Sequence, residues 1–229
     1  MATKPILFNG PMVQAILDGS KTQTRRPVVY PADCLPVDWD AEECLIRWEN
    51  QKTGERFWKP SPIATGDVLW VRETWAVGAW SGEKQAIAVG YGSIREPRME
   101  WLSVPDAKQF KRLADQSTKD ALSSIGEDEN GELRWYPGDA PTRLRRSIHM
   151  PKWACRIFLE VTNVRIQKAM DMTQEEVLAE GFDCFNCFCR VWENIYGVFL
   201  APEAIGENPY LLVYEFKRCE MPEGFLEAV

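Results

Sequence analysis

The sequence predicts an α+β fold in which helices pack around a mostly antiparallel sheet that curls to remove its edges. Three observations carry this. Arg156 to Ile166 is a long β-branched, partly alternating run, and Tyr210 to Lys217 is a second strand-like run. Thr173 to Glu180 has the signature of a capped helix, with Thr173 as cap, Glu176 three residues on, apolar Val177 and Leu178, and Gly181 as the stop. No internal repeat or low-complexity tract interrupts the pattern.

Taken in order, Pro11 to Asp18 reads as a short helix. Pro11 suits a first helical position, Met12 is followed by Ala15, Ile16 and Leu17, and Gly19 can take the left-handed stop. Pro27 to Pro36 reads as irregular. Cys44 to Trp48 and Arg56 to Trp58 read as a hairpin across the Lys52-Thr53-Gly54 turn, and Val68 to Trp75 as the clearest early strand. The stretch from Val77 to Arg146 mixes short apolar runs, such as Gln85 to Gly90, with a charged helical patch around Lys108 to Asp115 and a Gly/Glu/Asp loop. It is expected to be a lid-like or partner-binding insertion. Arg156 to Ile166 should be a central barrel strand, a helix is expected from about Phe188 to Tyr196 with Gly197 ending it, and the strand from Tyr210 closes the domain.

Composition narrows the functional classes. With 45% hydrophobic and 27% charged residues the chain reads as a soluble globular protein, since no segment approaches the ~18 uninterrupted apolar residues of a membrane helix. Met-Ala-Thr-Lys-Pro is followed by no apolar signal core, so the expected location is the cytoplasm. The seven cysteines are therefore read as reduced thiols. Cys184-x-x-Cys187, with Cys189 nearby, is a zinc half-site without a second pair. Phe182, Phe185 and Phe188 interleave with it, so a core-facing loop or helix start is preferred and no metal is assigned. A formal charge of −7 argues against a broad duplex-binding surface. Charge is nevertheless uneven: Arg143, Arg145, Arg146, Lys152 and Arg156 lie between Thr142 and Arg156 with no acid among them. This strip reads equally as a solvated surface or as a seat for a phosphate or a short single strand.

The most distinctive run is Gly19-Ser20-Lys21-Thr22-Gln23-Thr24-Arg25-Arg26, which sets an amine, hydroxyls and guanidiniums where the first helix ends. Lys21 and Thr24 are three apart, so a helical continuation would put both on one face. Cations opposing a helix C-terminus are the plainer account of the same residues. The run resembles the signature of the ASCH family, a branch of the PUA-like β-barrels, with the pattern Gly-x-Lys-x-x-(Glu or Thr)-x-Arg; Gly19, Lys21, Thr24 and Arg26 fill its places. Gly66 to Arg72 is similar to that family's Gly-Asp turn and following strand, and Tyr210 to Lys217 to its closing strand. Ser147 to Pro151 and Trp153-Ala154 have counterparts in the large members common in phages and prophages. The resemblance implies a single PUA-like barrel domain over 1–229, with flanking helices and a long insertion at about 76–147.

Only one histidine is present, His149, so a His-dependent triad is nearly excluded. An amidohydrolase can instead use a neutral lysine to deprotonate a hydroxyl nucleophile, and burial beside Arg25 and Arg26 would lower the Lys21 pKa in the required direction. Some small bacterial ASCH proteins hydrolyse N(4)-acetylcytidine, and the resemblance implies a Lys base, a Thr nucleophile and a Glu proton donor. Lys21 and Thr24 match directly; Glu180 is the best match for the donor, and Glu73 is the rival carboxylate. Arg25, Arg26, Glu73 and Trp75 are the candidate substrate-binding residues, Trp75 as a face on which a base could stack. The expected ligand is a nucleoside or acylated cytosine, with no cofactor and no membrane. Two other readings stand beside the enzyme: a module that binds RNA or a modified base without chemistry, taking single-stranded RNA as partner, and a ribonuclease in which Lys21 stabilises charge at phosphorus.

Overall fold

The computed structural model describes residues 2–92, 99–136, 139–196 and 207–227. Its elements run β1 (Thr3–Leu7), α1 (Gly10–Asp18), β2 (Gln23–Pro27), β3 (Cys34–Asp40), β4 (Leu45–Asn50), β5 (Arg56–Pro60), β6 (Val68–Arg72), β7 (Trp75–Ser81), β8 (Ala86–Tyr91), β9 (Glu100–Ser103), α2 (Ala107–Ser124), β10 (Phe158–Lys168), α3 (Gln174–Ala179), α4 (Phe185–Tyr196) and β11 (Tyr210–Cys219). The class is mixed α+β, as the sequence predicts. Three sheets form, with strand orders β1-β6-β10-β11-β2, β3-β4-β5 and β7-β8-β9.

The chain gathers into two compact units. The first comprises Met1–Lys4, Ala15–Leu69 and Phe158–Glu220; the second comprises Pro5–Gln14, Trp70–Ile157 and Met221–Val229 and contains the 76–147 segment. In the first unit β11 lies between β10 and β2, antiparallel to both. Leu211, Leu212, Val213 and Tyr214 are all buried although successive side chains point to opposite faces, so this strand is covered on both sides. A further core joins Ala169 and Leu211 to Phe188 and Trp192 of α4, with Phe182, Phe185 and Cys189 packed against it. The Cys/Phe segment is thus a helix start packed on the core. The expected stop at Gly197 lies outside the described residues.

The hairpin expected around Lys52-Thr53-Gly54 is β4–β5. Residues 34–40 differ from expectation: part of the stretch read as irregular forms β3. Pro36 is tolerated because β3 is an edge strand with a bulge between Pro36 and Asp38, so no ladder bond is demanded of its nitrogen. The strand expected over Val68 to Trp75 divides at Glu73-Thr74, two residues that belong to the second unit. Glu73 N–H donates to Met150 Sδ (3.2 Å), and Trp75 exchanges backbone bonds with Arg145 (3.1 and 2.7 Å) to start β7. The charged helical patch proves to be the N-terminal half of an 18-residue helix, α2, capped by Asp106, whose side chain accepts from Lys108 N–H. Leu113, Ser117 and Ala121 recur at four-residue spacing as its buried stripe. The core of this unit is Trp75, Val77, Ile87, Val89, Tyr91, Val104, Leu113, Met150, Trp153 and Ala154. Among the described residues no helix is long and apolar enough to cross a membrane.

Candidate active site: a buried ion cluster where α3 ends

The Gly19–Arg26 run is held by backbone bonds before any side chain is considered. Gly19 takes φ +84°, a left-handed stop for α1. Lys21 N–H then donates to Ala15 O (2.9 Å), Thr22 N–H donates to Ala179 O at the end of α3 (2.8 Å), and Thr22 O accepts from Phe216 N–H (2.9 Å). The helical continuation that would have set Lys21 and Thr24 on one face does not form. Gln23–Pro27 is instead the strand β2, with Thr24 opposite Tyr214 in the ladder with β11. Strand alternation sends Gln23 and Arg25 to one face and Thr24 and Arg26 to the other.

On the first face, cations and carboxylates interlock. Lys21 Nζ donates to Glu180 Oε2 (2.6 Å) and to the Glu180 carbonyl oxygen (2.8 Å). Arg25 reaches the other Glu180 oxygen (3.2 Å), Gln167 Oε1 (3.0 Å) and Glu176 Oε2 (3.3 Å). Lys21, Arg25 and Glu180 are each about 2% exposed, so these charges have exchanged water for one another. Gly181 explains how α3 comes so near: with φ +83°, any Cβ there would stand 3.1 Å from Ala15 Cβ and 3.3 Å from Lys21 Cβ. Burial lowers the Lys21 pKa from its ordinary value against the opposing charge and hydrogen bond of Glu180; Arg26 and Arg25 push it the same way as burial.

A second layer surrounds these three residues, and its members were not singled out in the sequence as site residues. Arg165 of β10 pairs with Glu176 Oε1 (2.5 Å) and with Glu215 of β11, and donates to Gln23 Oε1 (3.3 Å). Gln167 Nε2 donates to Glu176 Oε2 (3.0 Å), and Gln23 Nε2 to the Glu176 carbonyl (2.6 Å). Burial works to raise the Glu176 pKa, but the bonds from Gln167, Thr173 N–H and Arg165, with the Arg25 charge, leave it lowered. The sequence held a signal for this layer. Arg165 is a polar residue near the end of the strand read as central over Arg156 to Ile166, Gln167 follows directly after that strand, and Glu176 is the residue three beyond the Thr173 cap in the capping box, which the structure forms in full. A depression of about 420 Å³ in the same unit is lined by Thr22, Gln23, Thr162, Arg165, Glu175, Glu176, Ala179, Glu215 and Phe216.

Thr24 sits on the other face of β2, where its hydroxyl accepts from Arg26 Nη1 (3.1 Å); the same guanidinium nitrogen donates to Arg25 O (3.1 Å). Thr24 is 1% exposed. Glu73 and Trp75 belong to the second unit. Glu73 is buried and held bidentately by Arg156 (2.8 and 3.0 Å), whose guanidinium stacks on Tyr91 at 4.1 Å. Trp75 is a core residue, edge-on to Trp153 and covered by the Arg145 guanidinium, so its ring is not presented to solvent. Among the described residues no group of three or more His, Cys, Asp or Glu is gathered to hold a metal ion.

Comparison with protein-family models, with curated proteins and with solved structures finds no match to this chain.

Proposed function

We propose that this chain is an ASCH-like, PUA-like-barrel amidohydrolase that cleaves the exocyclic amide of N(4)-acylated cytosine nucleosides through Lys21, Thr24 and Glu180. The observation that carries the reading is the buried 2.6 Å contact between Lys21 Nζ and Glu180 Oε2, made by two residues singled out from opposite ends of the sequence. Moving one proton from the ammonium to the carboxylate turns an ion pair into an amine and a carboxylic acid. That single shift supplies both a general base and a proton donor, and burial of Lys21 favours its neutral side.

In this reading neutral Lys21 takes the Thr24 hydroxyl proton as Thr24 Oγ1 attacks the acyl carbon. The C–N bond breaks as Glu180 protonates the departing exocyclic amine, leaving cytidine and a Thr24 ester that water hydrolyses. Arg26, which donates to Thr24 Oγ1 (3.1 Å), is the cation assigned in this reading to the developing oxyanion.

The opposite placement of Thr24 on β2, and the burial of Lys21, Thr24 and Glu180, favour a second reading. In it the cluster locks the fold and the chain binds its ligand without chemistry. One experiment separates them. Purified protein is mixed with N(4)-acetylcytidine and followed by the ultraviolet change on conversion to cytidine. The enzyme reading expects turnover that falls by at least about 10³-fold in Thr24→Ala with the circular dichroism spectrum unchanged. Absence of turnover in the parent protein, or turnover untouched in Thr24→Ala, removes the mechanism.

A further inference from the structure

The second unit carries a groove that the proposed chemistry does not use. It encloses about 490 Å³ and is lined by Trp75, Arg112, Leu113, Gln116, Arg143, Leu144, Arg145, Arg146 and His149. Four of these are arginines and none is an acid. They come from two places: Arg112 from one turn of α2, and the others from the segment that adds a backbone bridge to Trp75.

The four cations are not equivalent. Arg143 is neutralised by Asp120 (2.9 Å). Arg145 is nearly buried, donating to Ser117 Oγ and to Arg143 O (3.3 Å each) while lying 5.3 Å over the Trp75 ring, and burial lowers its pKa. It forms the floor. Arg112 and Arg146 are exposed and make no ion pair among the described residues, so their guanidinium forks stand free. The Trp75 Nε1–H, a buried donor in this same wall, has no hydrogen-bond partner among the described residues. Leu144 is 63% exposed beside them, an apolar surface against which a planar ring can lie.

Two free forks, a fixed cationic floor and an apolar wall within one concave site match a chain of phosphates carrying bases better than any single anion. We infer that this groove binds the phosphodiester backbone of a single-stranded nucleic acid, with Arg112 and Arg146 as the phosphate contacts. Guanidinium forks suit phosphate because they can donate two parallel bonds to it. The groove is too small for a duplex, and the net charge of −7 removes the broad basic field that duplex binding draws on. A strand engaging only two or three phosphates needs no such field. Lys21, Thr24, Glu180 and Arg26, the residues of the proposed amidohydrolase chemistry, do not line this groove.

The test is fluorescence anisotropy with a fluorescein-labelled oligouridylate of about 12 nucleotides. Two or three phosphate contacts predict that raising salt fourfold weakens binding by roughly 7- to 20-fold, given a slope of about −0.7 per phosphate for single strands. The pair Arg112→Glu and Arg146→Glu should weaken it by at least about tenfold. The neutral pair Arg112→Gln and Arg146→Gln should do so by a smaller factor, and Lys84→Glu, an exposed cation outside the groove, by less than about twofold. Near-ultraviolet circular dichroism of each variant reports whether the tryptophan core is intact. Absence of binding at low salt, affinity unchanged by the double reversal, a Lys84→Glu effect as large as the double reversal, or equal displacement by cytidine monophosphate or by polyglutamate would each overturn the inference.

Discussion

Glu180 answers two cations at once, one on each carboxylate oxygen, and this sets what its neighbours can tolerate. Removing only one partner of a buried pair strands the other charge, which costs about 3–5 kcal/mol, whereas replacing both by apolar groups of similar size is often neutral. Lys21→Met leaves Glu180 with Arg25 and is accordingly expected to lower stability in urea by less than that, about 1–3 kcal/mol, and Lys21→Met with Glu180→Leu to recover part of it, though Arg25 then keeps only Glu176 and Gln167. If the double variant is no more stable than the single, Lys21 and Glu180 do not act as a pair. At this scale the sequence was informative about identity and silent about direction. The Gly19–Arg26 motif and the end of the capped helix point to Lys21 and Glu180, and the fold brings the two into contact. The side of β2 on which Thr24 falls depends on the ladder with β11, nearly two hundred residues away, and no local pattern encodes it.

Elements whose signals are local were the legible ones. The capping box of α3, the β4–β5 hairpin and the start of β11 follow from residues within a few positions of one another. Elements set by distant partners were not. β3 hid behind its proline, and the division between β6 and β7 is imposed by Met150 and Arg145. The N-terminus of α4 carries its own prediction. The Cys184 and Cys187 Sγ atoms lie 2.8 Å apart and the Cys187 backbone N–H donates to Cys184 Sγ (3.3 Å); these contacts lower the Cys184 pKa and raise that of Cys187. Burial pushes the Cys155 thiol up to about 12. Because the thiolate is the nucleophile, brief iodoacetamide treatment near neutral pH should alkylate Cys184 first and leave Cys155 unmodified, as read by peptide mass spectrometry. Labelling of Cys187 ahead of Cys184 would contradict this division of the two thiol pKa values.

For the molecule as a whole, pH should squeeze stability from both ends. Asp67 and Asp120 are lowered from 3.8 and Glu176 from 4.5, so their contribution is complete above those values and is lost as pH falls through the folded-state pKa of each. Cys155 works the other way: its contribution is complete below the unfolded value of 9.0 and drains away as pH rises toward about 12. The urea midpoint is therefore expected to fall below about pH 5 and again above about pH 9, the alkaline fall from Cys155 being opposed by Lys21, whose pKa is lowered from 10.5 so that the unfolded chain binds the extra proton; a midpoint still rising at pH 10 would show that Lys21 dominates. The two-unit arrangement was the least legible feature. The α+β class follows from the strand and helix patterns, but the segments at 5–14 and 221–229 that join the second unit carry no marker of that destination.

Lys21 and Glu180 stand 159 residues apart in the chain. At about 5–20 residues per second a ribosome would release the lysine some 8 to 30 seconds before the glutamate exists. Throughout that interval the nascent N-terminal segment holds cations destined for burial with nothing yet made to receive them, so it must remain hydrated and loosely ordered. The order of synthesis thus makes this region among the last to settle, and a slow translational pause before residue 180 would lengthen its exposure to chaperones and proteases.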